Sequence, residues 1–169
     1  IRNNGILFAI QDINLGQEPF KNLYDKLQEF EGEGTDDILK SDLIIPAIKL
    51  KGGSRVKNFR RNWHTTKEES EEIGFIGEGR VYIKLTSLFG HDKVNWVSEN
   101  ARKAGVNLQG SESKGYDMDY TDKEENIHYV EVKSTSGEDC IFSISMDELN
   151  FAEIHITNYE IFFVKKALD

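Results

Sequence analysis

The chain has 169 residues, a formal net charge of −9, 38% hydrophobic residues and 30% charged residues. These values fit one domain with or without a small attachment, and they argue against a protein that grips nucleic acid over its whole surface. No apolar stretch approaches the roughly 18 residues that a membrane helix needs, so no membrane partner is expected. No signal peptide is visible, and the single cysteine, Cys140, excludes a disulfide within the chain. We therefore expect a cytoplasmic protein, or a nuclear one if its source is a eukaryote.

The first part of the chain, residues 1–66, is predicted to be an N-terminal segment or a small accessory subdomain. Residues 5–10 are typical of a short strand, and residues 43–50 of another strand that is broken at Pro46. Between them, Pro19 opens an amphipathic helix that ends near Gly32. The apolar face of this helix consists of Phe20, Leu23, Tyr24, Leu27 and Phe30.

A basic run occupies residues 49–67, and no acidic residue occurs from Leu43 to Lys67. Aromatic side chains are interleaved with the basic ones, a pattern that suits phosphate contact combined with base stacking. The other interpretation is a solvated connector. If the run binds nucleic acid, the candidate contacts are Arg55, Lys57, Arg60, Arg61 and Trp63.

The second part, residues 67–169, begins with a predicted helix that extends to about Phe89 and has an acidic first turn. Gly74, Gly77 and Gly79 interrupt its apolar face. Each glycine costs a helix about 1 kcal/mol relative to alanine. The cluster therefore indicates either that the backbone approaches a neighbour closely or that two shorter helices meet there.

The remaining pattern predicts a mixed sheet with flanking helices, an α/β (α+β) fold class. A short helix or turn is expected at residues 99–104, and the spacing of Ser145 and Glu148 is that of a capping box opening another helix. That capping role alone would explain Glu148. Strands are predicted at residues 94–97, 116–120, 127–134, 141–144 and 159–164, the second and third forming a hairpin.

The hairpin carries the candidate chemistry. Side chains two apart on a strand share a face, so Glu131 and Lys133 are neighbours, and either Asp117 or Asp119 can lie opposite Glu131. Two carboxylates and the carbonyl of Val132 would suit a hard cation such as Mg²⁺. The lysine could orient a water that the cation activates, or offset charge in the transition state. The competing interpretation is an ordinary ion pair on a solvated strand face.

Three ordered motifs together resemble the C-terminal domain family of the plant protein NO VEIN. They are EIGFIGEGRVY at residues 72–82, GYDMDY at 115–120 and YVEVKST at 129–135, and FSIS at 142–145 with Glu148 continues the pattern. The resemblance covers about residues 67–169. It implies a restriction-endonuclease-like core, because that family is placed among the PD-(D/E)XK nuclease-like folds. The family also occurs in bacteria, often joined to ATPase, helicase or restriction-type modules.

Carried over position by position, the resemblance implies catalytic roles for Glu78, Asp117, Glu131 and Lys133. Glu78 is the first acidic residue, on the glycine-broken helix, and Tyr116 stands where the superfamily's name has proline. The implied metal ligands are Asp117, Glu131, Glu78 and the carbonyl of Val132. The implied cofactor is Mg²⁺, for which Mn²⁺ can substitute.

The resulting hypothesis is a Mg²⁺-dependent deoxyribonuclease, an endonuclease module of a larger restriction or phage-defence protein. Its expected partners are DNA, an ATPase or helicase domain or subunit of the parent protein, and a second copy in a homodimer. The first alternative is a non-catalytic module that binds nucleic acid or protein and retains the nuclease fold. The second is a structural or oligomerisation domain attached to an ATPase. The presence of all the superfamily's catalytic residue types favours the enzyme.

Overall fold

The structure, a computed structural model, describes residues 19–29, 38–42, 66–138 and 142–168. Several predictions fall outside these residues and are not tested by the structure. They are the strands at residues 5–10 and 43–50, the position of Phe30, and the candidate nucleic-acid contacts Arg55, Lys57, Arg60, Arg61 and Trp63.

A five-stranded sheet forms the centre of the described part of the chain, in the order β1-β5-β4-β3-β2. Strands β4 and β5 are parallel, whereas the other neighbours are antiparallel, so the sheet is mixed. With helices packed against it, this architecture confirms the predicted α/β class. The strands are β1 (Ile38–Asp42), β2 (Val94–Trp96), β3 (Met118–Thr121), β4 (Ile127–Ser134) and β5 (Tyr159–Val164).

Four α-helices are present in the described residues: α1 (residues 19–29), α2 (Lys67–Phe89), α3 (Glu99–Ala104) and α4 (Met146–Ile154). The starts of α2, α3 and α4 follow from side-chain caps that satisfy free backbone N–H groups. Thr66 accepts from the N–H of Glu69 at α2, and Ser98 caps α3. At α4, Ser145 and Glu148 form the predicted capping box.

Helix α2 runs unbroken through its three glycines, and two of them lie where it meets other elements. A Cβ placed on Gly77 would lie 2.5 Å from Cβ of Ser134 on β4, and one on Gly79 would lie 2.9 Å from Cδ1 of Leu27 on α1. At Gly74 no atom of a neighbouring element lies within 4 Å of such a Cβ. Close approach, rather than a helix break, therefore explains Gly77 and Gly79 but not Gly74.

Replacing Gly77 with alanine is expected to destabilise the fold, whereas Gly74→Ala should stabilise it. The first change forces α2 and β4 apart, and overpacking of this kind costs about 1–3 kcal/mol. The second gains up to about 1 kcal/mol of helix propensity in free space. Urea unfolding of both variants measures the difference, and shifts of the two midpoints in the same direction would contradict the packing account.

Parts of the segment predicted to be accessory share the core and sheet of residues 67–169. Tyr24 of α1 is buried, and its ring centroid lies 5.7 Å from that of Trp96 on β2. Strand β1 pairs along the outer edge of β5, with Ile38 opposite Val164. Strand β1 was not predicted, because its five residues, ILKSD, show neither an apolar run nor an alternating pattern.

Two strand predictions need correction. Residues 142–144 form no strand, and Phe142 instead packs on the sheet, with its ring 5.9 Å from that of Phe163 on β5. The strand predicted at residues 116–120 begins only at Met118. Its neighbours diverge there, as the N–H groups of Val97 and Ser98 both donate to the carbonyl of Asp117.

Candidate active site

Asp117 lies immediately before β3, and Glu131 lies in β4, at the open end of the hairpin that the two strands form. The paired register of the hairpin ends at Met118 and Val130, and the N–H of Asp117 donates to the carbonyl of Val130 at 2.9 Å. The side chain of Asp117 makes a further contact with β4, because Oδ2 of Asp117 accepts from the N–H of Val132 at 2.8 Å. Asp117 therefore contacts the residues on either side of Glu131, and the charge of Glu131 acts on the carboxylate of Asp117.

The carbonyl of Val132 points to the same edge of β4 as its N–H. In a strand, the N–H and C=O of one residue lie on one side, and the N–H of Val132 is directed at Asp117. The side chain of Val132 points instead to the opposite face, where it packs near Gly77. The main-chain oxygen predicted as a further ligand is thus on the side of Asp117.

Lys133 is held between two carboxylates. Its Nζ donates to Oε1 of Glu131 at 2.7 Å and to Oε2 of Glu148 at 3.0 Å. The first contact confirms that Glu131 and Lys133 are neighbours on one strand face. The second was not expected from the sequence, since the capping box seemed sufficient to explain Glu148.

Asp117 and Glu131 are buried with little positive charge to compensate their carboxylates. Glu131 is 4% exposed and Asp117 8%. Burial raises the pKa of Glu131 to about 8, although Lys133 opposes the change. Burial also raises the pKa of Asp117 well above its ordinary value, and the charges of Glu78 and Glu131 add to this effect. A cation at this place would favour the ionised forms of both.

Glu78 reaches the same cluster from α2 but has its own donors. Its carboxylate accepts from Nε1 of Trp96 at 2.7 Å, from Nδ2 of Asn100 at 2.6 Å and from Oγ of Ser98. Burial raises the pKa of Glu78 to about 7, and these three donors offset only part of the effect. The structure therefore brings Glu78 into electrostatic contact with Asp117 and Glu131, while its role as a metal ligand stays a prediction.

Tyr159 is a component of the site that sequence reasoning missed. Its hydroxyl donates to the carbonyl of Gly115 at 3.3 Å, and the side chain is buried. Burial raises the pKa of Tyr159, and the negative charges of Glu131, Glu148 and Asp117 raise it further. The residue comes beside Glu131 because β5 runs parallel to β4, with Tyr159 opposite Tyr129. No local pattern in the sequence signals a parallel pairing.

The candidate donors at the hairpin are all oxygen atoms, the type of ligand that Mg²⁺ takes. Within the described residues, no three His, Cys, Asp or Glu side chains form a group that could hold a metal ion. Mg²⁺ is commonly bound by one or two carboxylates together with waters and substrate phosphates. Asp117, Glu131 and the carbonyl of Val132 supply hard oxygen donors of that kind.

The fold and the site together define a mixed α/β domain. In this domain a buried acidic cluster, together with one lysine, lies at the open end of the β3–β4 hairpin. Residues 92–169 match the family described as Protein NO VEIN, C-terminal, which supports the resemblance that the motifs indicate. The match includes Asp117, Glu131 and Lys133, whereas Glu78 lies before it. No curated protein and no solved structure is significantly similar to the chain. No helix in the described residues is long and apolar enough to cross a membrane.

Proposed function

We propose that this chain is a Mg²⁺-dependent deoxyribonuclease domain with a restriction-endonuclease-like, PD-(D/E)XK core. One observation carries the proposal: Asp117, just before β3, meets Glu131 and Lys133 of β4 in a cluster whose two carboxylates are buried. Its carboxylates have raised pKa values, as expected at a site where a bound cation would supply the missing positive charge. An ordinary surface ion pair would leave the carboxylates solvated and would not raise their pKa values.

Asp117, Glu131 and the carbonyl of Val132 would hold the cation, which, when bound, polarises a phosphoryl oxygen and lowers the pKa of a water. The chain's own groups would orient the reactants. Lys133 uses two of its three N–H donors on Glu131 and Glu148. The third can hold the attacking water or a phosphate oxygen, where positive charge stabilises the transition state.

DNA binding would need positive charge from beyond this acidic cluster. The chain carries a net charge of −9, and phosphate contacts supply much of the affinity of DNA-binding proteins. We therefore propose that the basic run at residues 49–67, an ATPase or helicase domain or subunit, or a second copy contributes it. A parent protein of the restriction or phage-defence type would provide such a partner.

A non-catalytic binding module is the second candidate. It is favoured by the engagement of Lys133 with both Glu131 and Glu148, which is also what a structural ion-pair network would look like. Such a module would bind DNA or a protein partner through the same fold without hydrolysis.

Nicking of supercoiled plasmid by the full chain distinguishes the two candidates. The nuclease proposal expects relaxed and linear products with Mg²⁺ or Mn²⁺ and none with EDTA. Binding of labelled duplex without any product, by folded protein at either metal, would support the binding module. Failure to cut both duplex and single-stranded DNA under these conditions would remove the proposed activity.

A further inference from the structure

We propose that Glu148 is a positioning residue that keeps the ammonium of Lys133 in place when Glu131 binds a cation. The inference rests on the proposed function and extends it to a residue on α4, outside the hairpin. Glu148 lies 15 residues beyond Lys133, and the two meet across separate elements at 3.0 Å.

One oxygen of the Glu148 carboxylate accepts hydrogen bonds from two donors. This oxygen, Oε2, accepts from the N–H of Ser145 at 2.9 Å and from Nζ of Lys133 at 3.0 Å. In return, Oγ of Ser145 accepts from the N–H of Glu148 at 3.2 Å. The capping box therefore anchors a charge at the start of α4, and the oxygen that takes part in the cap also accepts from the strand lysine.

Glu131 would contact both Lys133 and the cation, and these two contacts compete. Nζ of Lys133 lies closer to Glu131, at 2.7 Å, than to Glu148, and Glu131 is also one of the two carboxylates proposed to hold the cation. Binding a cation between Glu131 and Asp117 would weaken the hold of Glu131 on Lys133. Glu148 would then remain as the carboxylate that keeps the long, flexible lysine side chain oriented.

A capping box alone does not require the contact with Lys133. Glutamine satisfies the same capping geometry as glutamate, because its side-chain oxygen can accept from the N–H of the N-cap residue. It lacks, however, the charge that holds an ammonium group. Glu148→Gln therefore separates the positioning role from the capping role. Ser145→Ala provides the matched control, since it removes the hydroxyl that caps α4 and leaves both the carboxylate and its bond to the backbone N–H of residue 145.

The test compares the full-length wild type with these two variants in plasmid nicking, thermal unfolding and NMR of the lysine side-chain methylenes. Glu148→Gln is expected to lower kcat about 10-fold or more, the usual effect of losing a partner of a metal-site residue. KM and the melting temperature should change little. The signal of the Lys133 methylenes is assigned by its absence in Lys133→Arg. In Glu148→Gln, the line width of this signal should narrow towards that of exposed lysines, most clearly with Mg²⁺ present. Ser145→Ala should lower the melting temperature while kcat stays within about twofold of wild type.

Equal losses of kcat in Glu148→Gln and Ser145→Ala would assign the effect to helix capping and overturn the proposal. An unchanged Lys133 signal in Glu148→Gln would overturn it as well. If the wild type does not cut DNA, the proposed function fails. The NMR measurement alone then decides whether Glu148 positions Lys133. A Lys133 side chain that stays ordered on Mg²⁺ addition in the wild type but not in Glu148→Gln would still support the positioning role.

Discussion

Lys133→Met is expected to lower cation-dependent DNA cleavage by about 100-fold or more while the fold survives. The ammonium donates to Glu131 at 2.7 Å, and loss of a single donor at a reacting oxygen costs about 10²–10³ in rate. Methionine keeps the volume and flexibility of the lysine stem. The unpaired Glu131 can take up a proton, because its pKa is already raised to about 8. Initial nicking rates at saturating Mg²⁺, with circular dichroism of both proteins, measure the effect.

The matched control is Lys93→Met. Nζ of Lys93 also lies 2.7 Å from a glutamate oxygen, that of Glu125, but this pair is on the exposed side of the molecule. The same chemical change at the same ion-pair distance should leave the nicking rate within about twofold of wild type. Equal rates for both variants and the wild type would show that the cleavage comes from a contaminant and not from Lys133.

The local features of the site could be predicted because they depend on neighbours along the chain. Alternation along a strand places Glu131 and Lys133 on one face whatever the rest of the fold does. The bounds of β4 and β5 follow from unbroken strand-like runs, Ile127–Ser134 and Tyr159–Val164, and both are confirmed. The capping box at Ser145 is likewise a signal contained within four residues.

The rest of the site depends on how distant elements pack, which no short window of sequence records. Glu148 reaches Lys133 only because α4 begins beside β4, and Tyr159 reaches Glu131 only because β5 is parallel to β4. The donors of Glu78 come from the end of β2 and the start of α3, where Ser98 serves as both cap and partner. Strand β1 was missed for the same reason, since its pairing with β5 is its main determinant.

Neutralising the acidic cluster should stabilise the cation-free protein at alkaline pH and remove its response to Mg²⁺. In Asp117→Asn the amide oxygen can still accept from the N–H of Val132, so the geometry is retained while a buried charge is lost. A carboxyl group whose pKa is raised by folding stabilises the fold fully below its unfolded pKa, and this contribution is lost as the pH rises through the folded pKa. For Glu131 that window runs from 4.5 to about 8.

The wild type should therefore lose stability across this window, and Asp117→Asn should lose less because it removes one of the mutually repelling charges. One unit of pKa corresponds to about 1.4 kcal/mol, so we expect the variant to be more stable by roughly 1–3 kcal/mol near pH 8.5 without cation. At pH 3.5, below the ordinary aspartate pKa of 3.8, the two proteins should unfold at nearly the same temperature. Thermal unfolding at both pH values, with EDTA or with Mg²⁺, measures these differences.

Mg²⁺ should raise the melting temperature of the wild type at pH 8.5, because a ligand that binds only the folded state stabilises it by mass action. It should have little effect on Asp117→Asn. The control is Asp119→Asn in β3, where the aspartate accepts from Nδ2 of Asn95 at 2.7 Å and from the hydroxyl of Tyr116 at 3.3 Å. That variant should keep both the pH dependence and the Mg²⁺ response of the wild type. Equal stabilisation of wild type and Asp117→Asn by Mg²⁺ would contradict a cation site between Asp117 and Glu131, since the site would have survived the loss of one of its two carboxylates.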